Sequence, residues 1–180
     1  MFKSNEEKFF NMWCKQLKEL DYIIDYFYQP ETLQITPKAE LCLNINKKNK
    51  CYFLLHPLTY TYDFKIIWNI KAKDVFYNNI DNEYYKNNCY FKTKEDISYI
   101  DVKGEYTRKN RVTDISYPIL QKILYHYSNF YVQKIVPIKL FKDTFAPTEY
   151  LLNNNIYKVG TKKGTNKSNL LNLDEYTRSK

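Results

Sequence analysis

The stretch that most constrains the fold is residues 58–68, Leu-Thr-Tyr-Thr-Tyr-Asp-Phe-Lys-Ile-Ile-Trp. β-Branched and aromatic residues dominate it, and these favour strands because they pack well on a pleated surface. We therefore predict a core strand here. The stretch contains one carboxylate, Asp63, and a buried carboxylate without a partner is costly. Asp63 thus needs a cation or a lysine as its partner, or a place at a strand end where it reaches solvent.

The remaining sequence alternates helical and extended patterns. Apolar stripes of 3.6-residue spacing predict helices over 5–20, with Ser4 as N-cap, and over 114–128. Further strands are predicted at 22–29, 33–36, 39–45, 98–103 and 131–136. The order predicts an α/β domain with a small mixed β-sheet flanked by helices.

The domain organisation follows from length and composition. A chain of 180 residues is expected to form one domain, which we place at 1–150. Residues 69–96 are predicted to be an insertion or extended hairpin between two core strands, and 105–113 a charged loop. Residues 151–180 are predicted to be a basic C-terminal tail.

Cysteine spacing and hydropathy bound the environment of the chain. The four cysteines, at 14, 42, 51 and 89, match no zinc-site spacing and are predicted to be reduced thiols. No apolar run approaches the roughly 18 residues of a membrane span, and no apolar signal core opens the chain. We expect a soluble cytoplasmic protein with no membrane contact.

The charge of the chain favours a polyanionic partner. The formal net charge is +8 at pH 7, and the basic residues are mixed with tyrosines, which suits a surface that meets phosphates and bases together. DNA is therefore an expected partner, although many basic proteins bind no nucleic acid.

The strongest chemical motif is Ile-Asp-Val-Lys-Gly at 100–104. Side chains alternate between the faces of a strand, so Asp101 and Lys103 should share one face while Val102 points into the core. Asp101 can bind a cation, the carbonyl oxygen of Val102 can add a hard oxygen ligand, and Lys103 can hold a phosphate oxygen. A surface salt bridge explains this pair equally well. A cation shared with Asp63 would partner both carboxylates.

These two segments resemble a known family. Leu58 to Phe64, followed by Tyr99 to Gly104, resembles the two core motifs of PD-(D/E)XK nucleases, and is particularly similar to bacteriophage endonuclease I-type Holliday junction resolvases. The resemblance covers about 4–67 and 98–137, with Tyr62 where the family has proline. It implies a restriction-endonuclease-like core and Mg²⁺ (or Mn²⁺) bound by Asp63 and Asp101.

The resemblance also implies a biological setting. It implies cleavage of DNA, structure-selective for branched duplex, by a possible homodimer in the host cell cytoplasm. Other members of the class act as repair nickases, exonucleases or transposase subunits, and a non-catalytic DNA-binding or virion protein on the same fold is a further alternative.

Further site residues are carried over from the family pattern. The leading helix glutamate corresponds to Glu7, with Glu6 as the competing choice, although Glu7 also fits a structural capping box. The helix after the second motif would contribute Lys122 or Gln121 to catalysis.

Three basic residues follow the second motif closely enough to grip flanking DNA phosphates: Arg108, Lys109 and Arg111. A solvated charged loop explains them equally well.

Overall fold

A computed structural model describes residues 2–80, 89–104, 111–153 and 170–179, with only the backbone for 111–115. Its helices are α1 (Asn5–Glu19), α2 (Arg111–Ser128), α3 (Pro137–Asp143), α4 (Thr148–Asn153) and α5 (Leu173–Arg178). Its strands are β1 (Ile23–Tyr28), β2 (Thr32–Thr36), β3 (Ala39–Ile45), β4 (Lys48–Leu55), β5 (Leu58–Thr61), β6 (Phe64–Trp68), β7 (Tyr77–Asn79), β8 (Phe91–Thr93), β9 (Ile97–Val102) and β10 (Val132–Ile135).

The central sheet has four strands in the order β1-β6-β9-β10. The pairs β1/β6 and β6/β9 are antiparallel, whereas β10 runs parallel to β9 and is connected to it through α2. Three further two-stranded sheets pair β2 with β5, β3 with β4 and β7 with β8. The predicted α/β class with a small mixed sheet is confirmed.

Two apolar clusters cover the two faces of the central sheet. The larger one joins α1 to the sheet and is rich in stacked aromatic rings, with Trp13 in contact with Trp68, Phe91 and Phe145. The smaller cluster lies under α2 and includes Tyr62, Leu124 and Val132. The sheet is thus held between helices, which fixes the ends of its strands.

The predicted strand over 58–68 is divided in the structure. β5 pairs with β2 in a peripheral sheet, whereas β6 pairs with β1 and β9 in the central one. The chain changes sheets at Tyr62 and Asp63, which lie in neither strand. Local propensity cannot show this break, because both halves have the same strand-forming composition.

Residues 69–96, for which we predict an insertion or extended hairpin between two core strands, follow β6 and precede β9, and their described part forms no antiparallel hairpin. A short 3-10 helix, Ile70–Ala72, precedes β7, and β7 pairs with β8 in parallel. Phe76, Tyr77 and Phe91 are fully buried in the larger cluster. This segment belongs to the core because its aromatic side chains fill the space beside α1.

The second predicted helix begins earlier than expected. α2 starts at Arg111, so residues 111–113 are helical rather than part of a loop, and Pro118 lies inside the helix. The apolar stripe could not show the first turn, because that turn includes polar Arg111 and Thr113.

The end of the chain is not a free tail over its described part. Leu173 and Tyr176 of α5 are buried in the larger cluster, and the Tyr176 hydroxyl donates to Val75 O at 3.1 Å. The backbone N–H of Ala146 donates to Leu171 O at 2.9 Å. Residues 170–179 are therefore part of the domain, whereas most of the predicted tail lies outside the described residues.

The expectation of four reduced cysteines is also wrong. Cys42 and Cys51 face each other across β3 and β4 and form a disulfide. Their sequence separation of nine residues gives no sign of this pairing, which depends on the hairpin register. Cys14 is a buried thiol, and burial raises its pKa.

Within the described residues, no helix combines the length and the apolar character that a membrane crossing requires.

We predict that Tyr176→Ala lowers the free energy of unfolding by about 3–5 kcal/mol, because it empties an aromatic site in the core. Chemical denaturation measures this loss. Tyr127→Ala is the matched control, since Tyr127 is 65% exposed, and should change stability by less than about 0.5 kcal/mol. Equal effects would place α5 outside the core.

Candidate active site

Two carboxylates meet where the chain passes from β5 to β6. The N–H of Asp63 donates to Ile100 O at 2.9 Å, and Asp63 Oδ2 accepts from Val102 N at 2.8 Å. Asp63 is thereby fixed against β9 through both its backbone and its side chain. Asp101 lies between Ile100 and Val102 in the sequence, so both of its chain neighbours are hydrogen-bonded to Asp63. Asp63 and Asp101 are only 8% and 3% exposed.

Lys103 completes this group. Its Nζ lies 2.7 Å from Asp101 Oδ2, and its N–H donates to Ile135 O at 2.8 Å, which extends the β9–β10 ladder by one residue. The predicted shared face of Asp101 and Lys103 is confirmed, as is the burial of Ile100 and Val102 in the core behind them.

The negative charges of Asp63 and Asp101 are only partly compensated at this site. Burial, and then the negative charge of Asp101, raise the pKa of Asp63 to about 6. The Val102 N–H and the Lys103 ammonium act in the opposite direction. Two carboxylates held together in this way resist ionisation together, and an added cation would relieve the repulsion.

Two tyrosines that the motif analysis did not select flank the carboxylates. The Tyr60 hydroxyl is buried beside Asp101. Its distances and angles to the described residues do not satisfy those of a hydrogen bond. Tyr117 on α2 donates to Val132 O at 2.9 Å. Burial, and then the Asp101 charge, raise the pKa of both tyrosines. Local sequence gives no sign of Tyr60, because residues three apart in a strand point to opposite faces.

Gln29 is a further neighbour that sequence reasoning did not assign to the site. Its N–H donates to Asp63 O at 2.8 Å, and its side-chain Nε2 lies 3.4 Å from Asp63 Oδ1. Its φ of 44° is unusual for a residue with a side chain. That conformation ends β1 and turns the amide towards Asp63.

Glu6 and Glu7, the two glutamates at the start of α1, make different contacts near the site. Glu7 is buried, and its Oε2 accepts from Lys3 N at 2.8 Å and from the Tyr28 hydroxyl at 2.7 Å. Burial, then the hydrogen bond to Glu7 and its charge, and less strongly the charge of Asp63, raise the pKa of Tyr28 to about 12. Glu6 borders Gly104: a Cβ there would lie 3.4 Å from Glu6 Oε1.

The predicted N-cap, Ser4, is confirmed, but only the first half of the capping box forms. Ser4 Oγ accepts from Glu7 N at 3.1 Å, but the Glu7 carboxylate binds Lys3 N rather than the N-cap backbone.

Lys122 and Gln121, the two α2 residues predicted to contribute to catalysis, line a cavity that does not include the carboxylate pair. Lys122 is exposed and lines a cavity of about 610 Å³ together with Gln121, Tyr125 and His126, and neither Asp63 nor Asp101 lines it. The Gln121 amide donates to Val132 O at 2.6 Å and so anchors α2 to β10. The structure therefore gives Gln121 a structural contact.

The three basic residues predicted to bind phosphates cannot be placed. Arg108 and Lys109 lie outside the described residues, and Arg111 is described only by its backbone at the start of α2. Their role stays a prediction.

In the part of the chain that the structure describes, no three acidic, histidine or cysteine side chains gather as a metal-binding group. The acidic side chains that the fold brings together at this site are those of Asp63 and Asp101.

Comparisons with protein-family models, curated proteins and solved structures find no match to this chain.

We predict that Asp63→Asn gains stability relative to wild type as the pH rises from about 4 to 7, without divalent cations. The ordinary pKa of this carboxyl is 3.8, and the folded value is about 6. Between these values the unfolded chain has lost the proton that the native state keeps, so wild-type stability falls as the pH rises. The expected relative gain is on the order of 1–2 kcal/mol.

Denaturation midpoints at a series of pH values test this expectation. The amide that replaces the Asp63 carboxylate can still accept from the Val102 N–H and can donate to Asp101. Asp25→Asn is the control, because a hydrogen bond from Lys18 lowers the pKa of exposed Asp25. A flat difference between wild type and Asp63→Asn over this window would contradict the burial of a repelling pair.

Proposed function

We propose that this protein is a metal-dependent endodeoxyribonuclease of the PD-(D/E)XK type that hydrolyses DNA phosphodiester bonds. The observation that carries the proposal is the buried pair Asp63 and Asp101, with the Lys103 ammonium 2.7 Å from Asp101. Asp63 immediately precedes β6, and Asp101 and Lys103 lie at the end of β9, which is the arrangement that the sequence motifs imply.

The fold supports the same reading. A helix, three antiparallel strands, a second helix and a parallel fourth strand follow one another as α1, β1, β6, β9, α2 and β10. This order is compatible with a restriction-endonuclease-like core. Asp101 lies in β9, the strand that pairs with both β6 and β10, and Asp63 is hydrogen-bonded to the same strand.

The carboxylate pair fits a small hard cation. Mg²⁺ is usually held by one or two carboxylates and completes its shell with waters and substrate phosphates, so a third protein carboxylate is not required. The raised pKa of Asp63 indicates that the Val102 N–H and the Lys103 ammonium offset the effects of burial and of the Asp101 charge only in part. Asp63 and Asp101 would hold Mg²⁺ or Mn²⁺, with the Val102 carbonyl as an additional candidate. When bound, the cation supplies water activation and neutralises phosphate charge.

The protein's own residues supply orientation and a positive charge. The Val102 N–H donates to one oxygen of Asp63, and the Lys103 ammonium pairs with Oδ2 of Asp101. Lys103 is about one third exposed, so its ammonium can reach a phosphate oxygen at the surface. A fixed cation at that point stabilises the charge that develops on phosphate during hydrolysis.

The overall charge supports a DNA substrate. A chain of net charge +8 gains affinity for DNA by releasing condensed counterions, so binding should weaken steeply with salt. This contribution is independent of sequence and shape. Selectivity for branched DNA, as in a phage resolvase, would need two sites at a fixed separation.

We predict that Asp63→Asn, Asp101→Asn and Lys103→Ala each reduce DNA cleavage at least about 100-fold. The two asparagine variants each remove a negative charge from the cation site, and Lys103→Ala removes the ammonium that would stabilise the phosphate charge. DNA binding and the fold should be retained. Asp25→Asn and Lys18→Ala, from an exposed ion pair, are matched controls with full activity. Wild-type cleavage by any of the three site variants would overturn the site.

We predict that cleavage requires Mg²⁺ or Mn²⁺, and that Ca²⁺ supports DNA binding without turnover because it is larger and less strict in geometry. The assay uses a labelled four-way junction, linear duplex and single strand, each with metal and with chelator. Cleavage in excess chelator would contradict the mechanism. Faster cleavage of the junction identifies a resolvase, whereas equal rates identify a general nuclease.

A further inference from the structure

The hairpin formed by β3 and β4, residues 39–55, stands apart from the central sheet; we call it the arm. Its strands pair with each other and with no other strand of the described chain. Nearly every residue of the arm is exposed, and the Cys42–Cys51 disulfide joins its two strands. A two-stranded hairpin is marginal in water, so this disulfide gives the arm a rigidity that its own strand pairing does not.

One face of the arm combines apolar side chains with cations. Residues directly opposite each other on paired strands share a face, and the register sets an apolar residue of β3 opposite a lysine or a tyrosine of β4. The disulfide lies on the other face. Six exposed residues form what we call the mixed face: Leu41, Leu43, Ile45, Lys48, Lys50 and Tyr52.

The outer part of the arm is strongly basic. Residues 41–55 include Lys47, Lys48 and Lys50 and contain no aspartate or glutamate. All three lysines are exposed. A local excess of one charge on an exposed element attracts a partner of the opposite charge, so the arm is complementary to a polyanion.

The tip of the arm places a lysine where glycine is favoured. Asn46 and Lys47 connect the two strands, and their φ angles are 53° and 62°. A two-residue hairpin turn with positive φ at both positions favours glycine at the second one, because a side chain there strains the backbone. The hairpin alone does not require Lys47, whereas a contact with an anion at the tip would.

The mixed face fits the major groove of duplex DNA. That groove admits a two-stranded β-ribbon, and it presents base edges and thymine methyl groups between two rows of phosphates. Lysines can contact the phosphates while apolar side chains meet the methyl groups. A lipid surface fits less well, because the polar and charged tip, residues 46–50, would have to enter the hydrocarbon together with the apolar side chains.

We infer that the arm is a DNA-binding element, which enters the major groove with its mixed face and contacts phosphates through Lys47, Lys48 and Lys50. The choice of DNA among polyanions rests on the proposed function. The base of the arm continues into β2 and β5, and Asp63 follows β5 after one residue. The arm is thus attached directly to the segment that leads into the carboxylate pair.

Fluorescence anisotropy of a labelled linear duplex tests the arm with the full chain in excess chelator, where binding is read without cleavage. The combined variant Lys47→Gln, Lys48→Gln and Lys50→Gln is expected to bind about 10–100-fold more weakly at about 150 mM salt. The slope of log affinity against log salt should fall by about 2–3, because each lost phosphate contact removes about 0.9.

The matched control removes the same charge elsewhere, as Lys15→Gln, Lys18→Gln and Lys71→Gln. These exposed lysines lie on α1 and on the 3-10 helix that follows the far end of β6 from Asp63. The control should keep its affinity to within about twofold. Equal losses in the two combined variants would assign DNA binding to overall charge and overturn the inference.

Two single variants separate contact with DNA from stability of the hairpin. Lys47→Gly removes a phosphate contact and also relieves the turn, so it should weaken DNA binding without lowering the midpoint of chemical unfolding. Leu43→Ser removes an apolar contact but no charge, so it should weaken binding without changing the salt slope. Wild-type affinity in both variants would contradict insertion of the mixed face.

Vesicles of anionic phospholipid test the alternative partner. If the combined arm variant loses vesicle binding but keeps DNA binding, the arm belongs to a membrane surface and the inference fails. The nuclease proposal fails separately: arm-dependent DNA binding with no cleavage after Mg²⁺ is restored refutes the nuclease alone. Cleavage by a protein whose arm variants bind DNA normally refutes the arm alone.

Discussion

The candidate site depends on one hydrogen bond, from the Val102 N–H to the Asp63 carboxylate. Together with the bond from the Asp63 N–H to Ile100 O, it holds Asp63 against β9 and beside Asp101. Left alone, two carboxylates would separate, and burial followed by the Asp101 charge raises the pKa of Asp63. The polar site exists because a backbone donor and the Lys103 ammonium offset part of that repulsion.

The aromatic core supplies the rigidity that this arrangement requires. Rings from α1, β6 and β8 interlock around Trp13 on one face of the central sheet, and α2 covers the other. Ile100 and Val102 are anchored in that core, so the alternate side chains of β9 are held in a fixed direction. Packing on one face of β9 therefore determines where Asp101 lies on the other.

Several local features were predictable because they depend on near neighbours. Ser4 as the N-cap of α1 and the strand 98–103 follow from patterns within a few residues. The break at Tyr62 was not predictable, since it depends on which sheets β5 and β6 join. The Cys42–Cys51 bond was hidden for the same reason: spacing alone does not give a hairpin register. Tyr176 was assigned to a tail because its short helix has almost no stripe of its own.

The sequence by itself determined that Asp101 and Lys103 share a face, because a strand repeats every two residues wherever it lies. It also determined the basic charge and the α/β class. Only the tertiary structure decided that Asp63 meets Asp101, that Glu7 turns to Tyr28, and that Lys122 lines a separate cavity. These are contacts between distant segments, and they are set by strand pairing and core packing rather than by any local pattern.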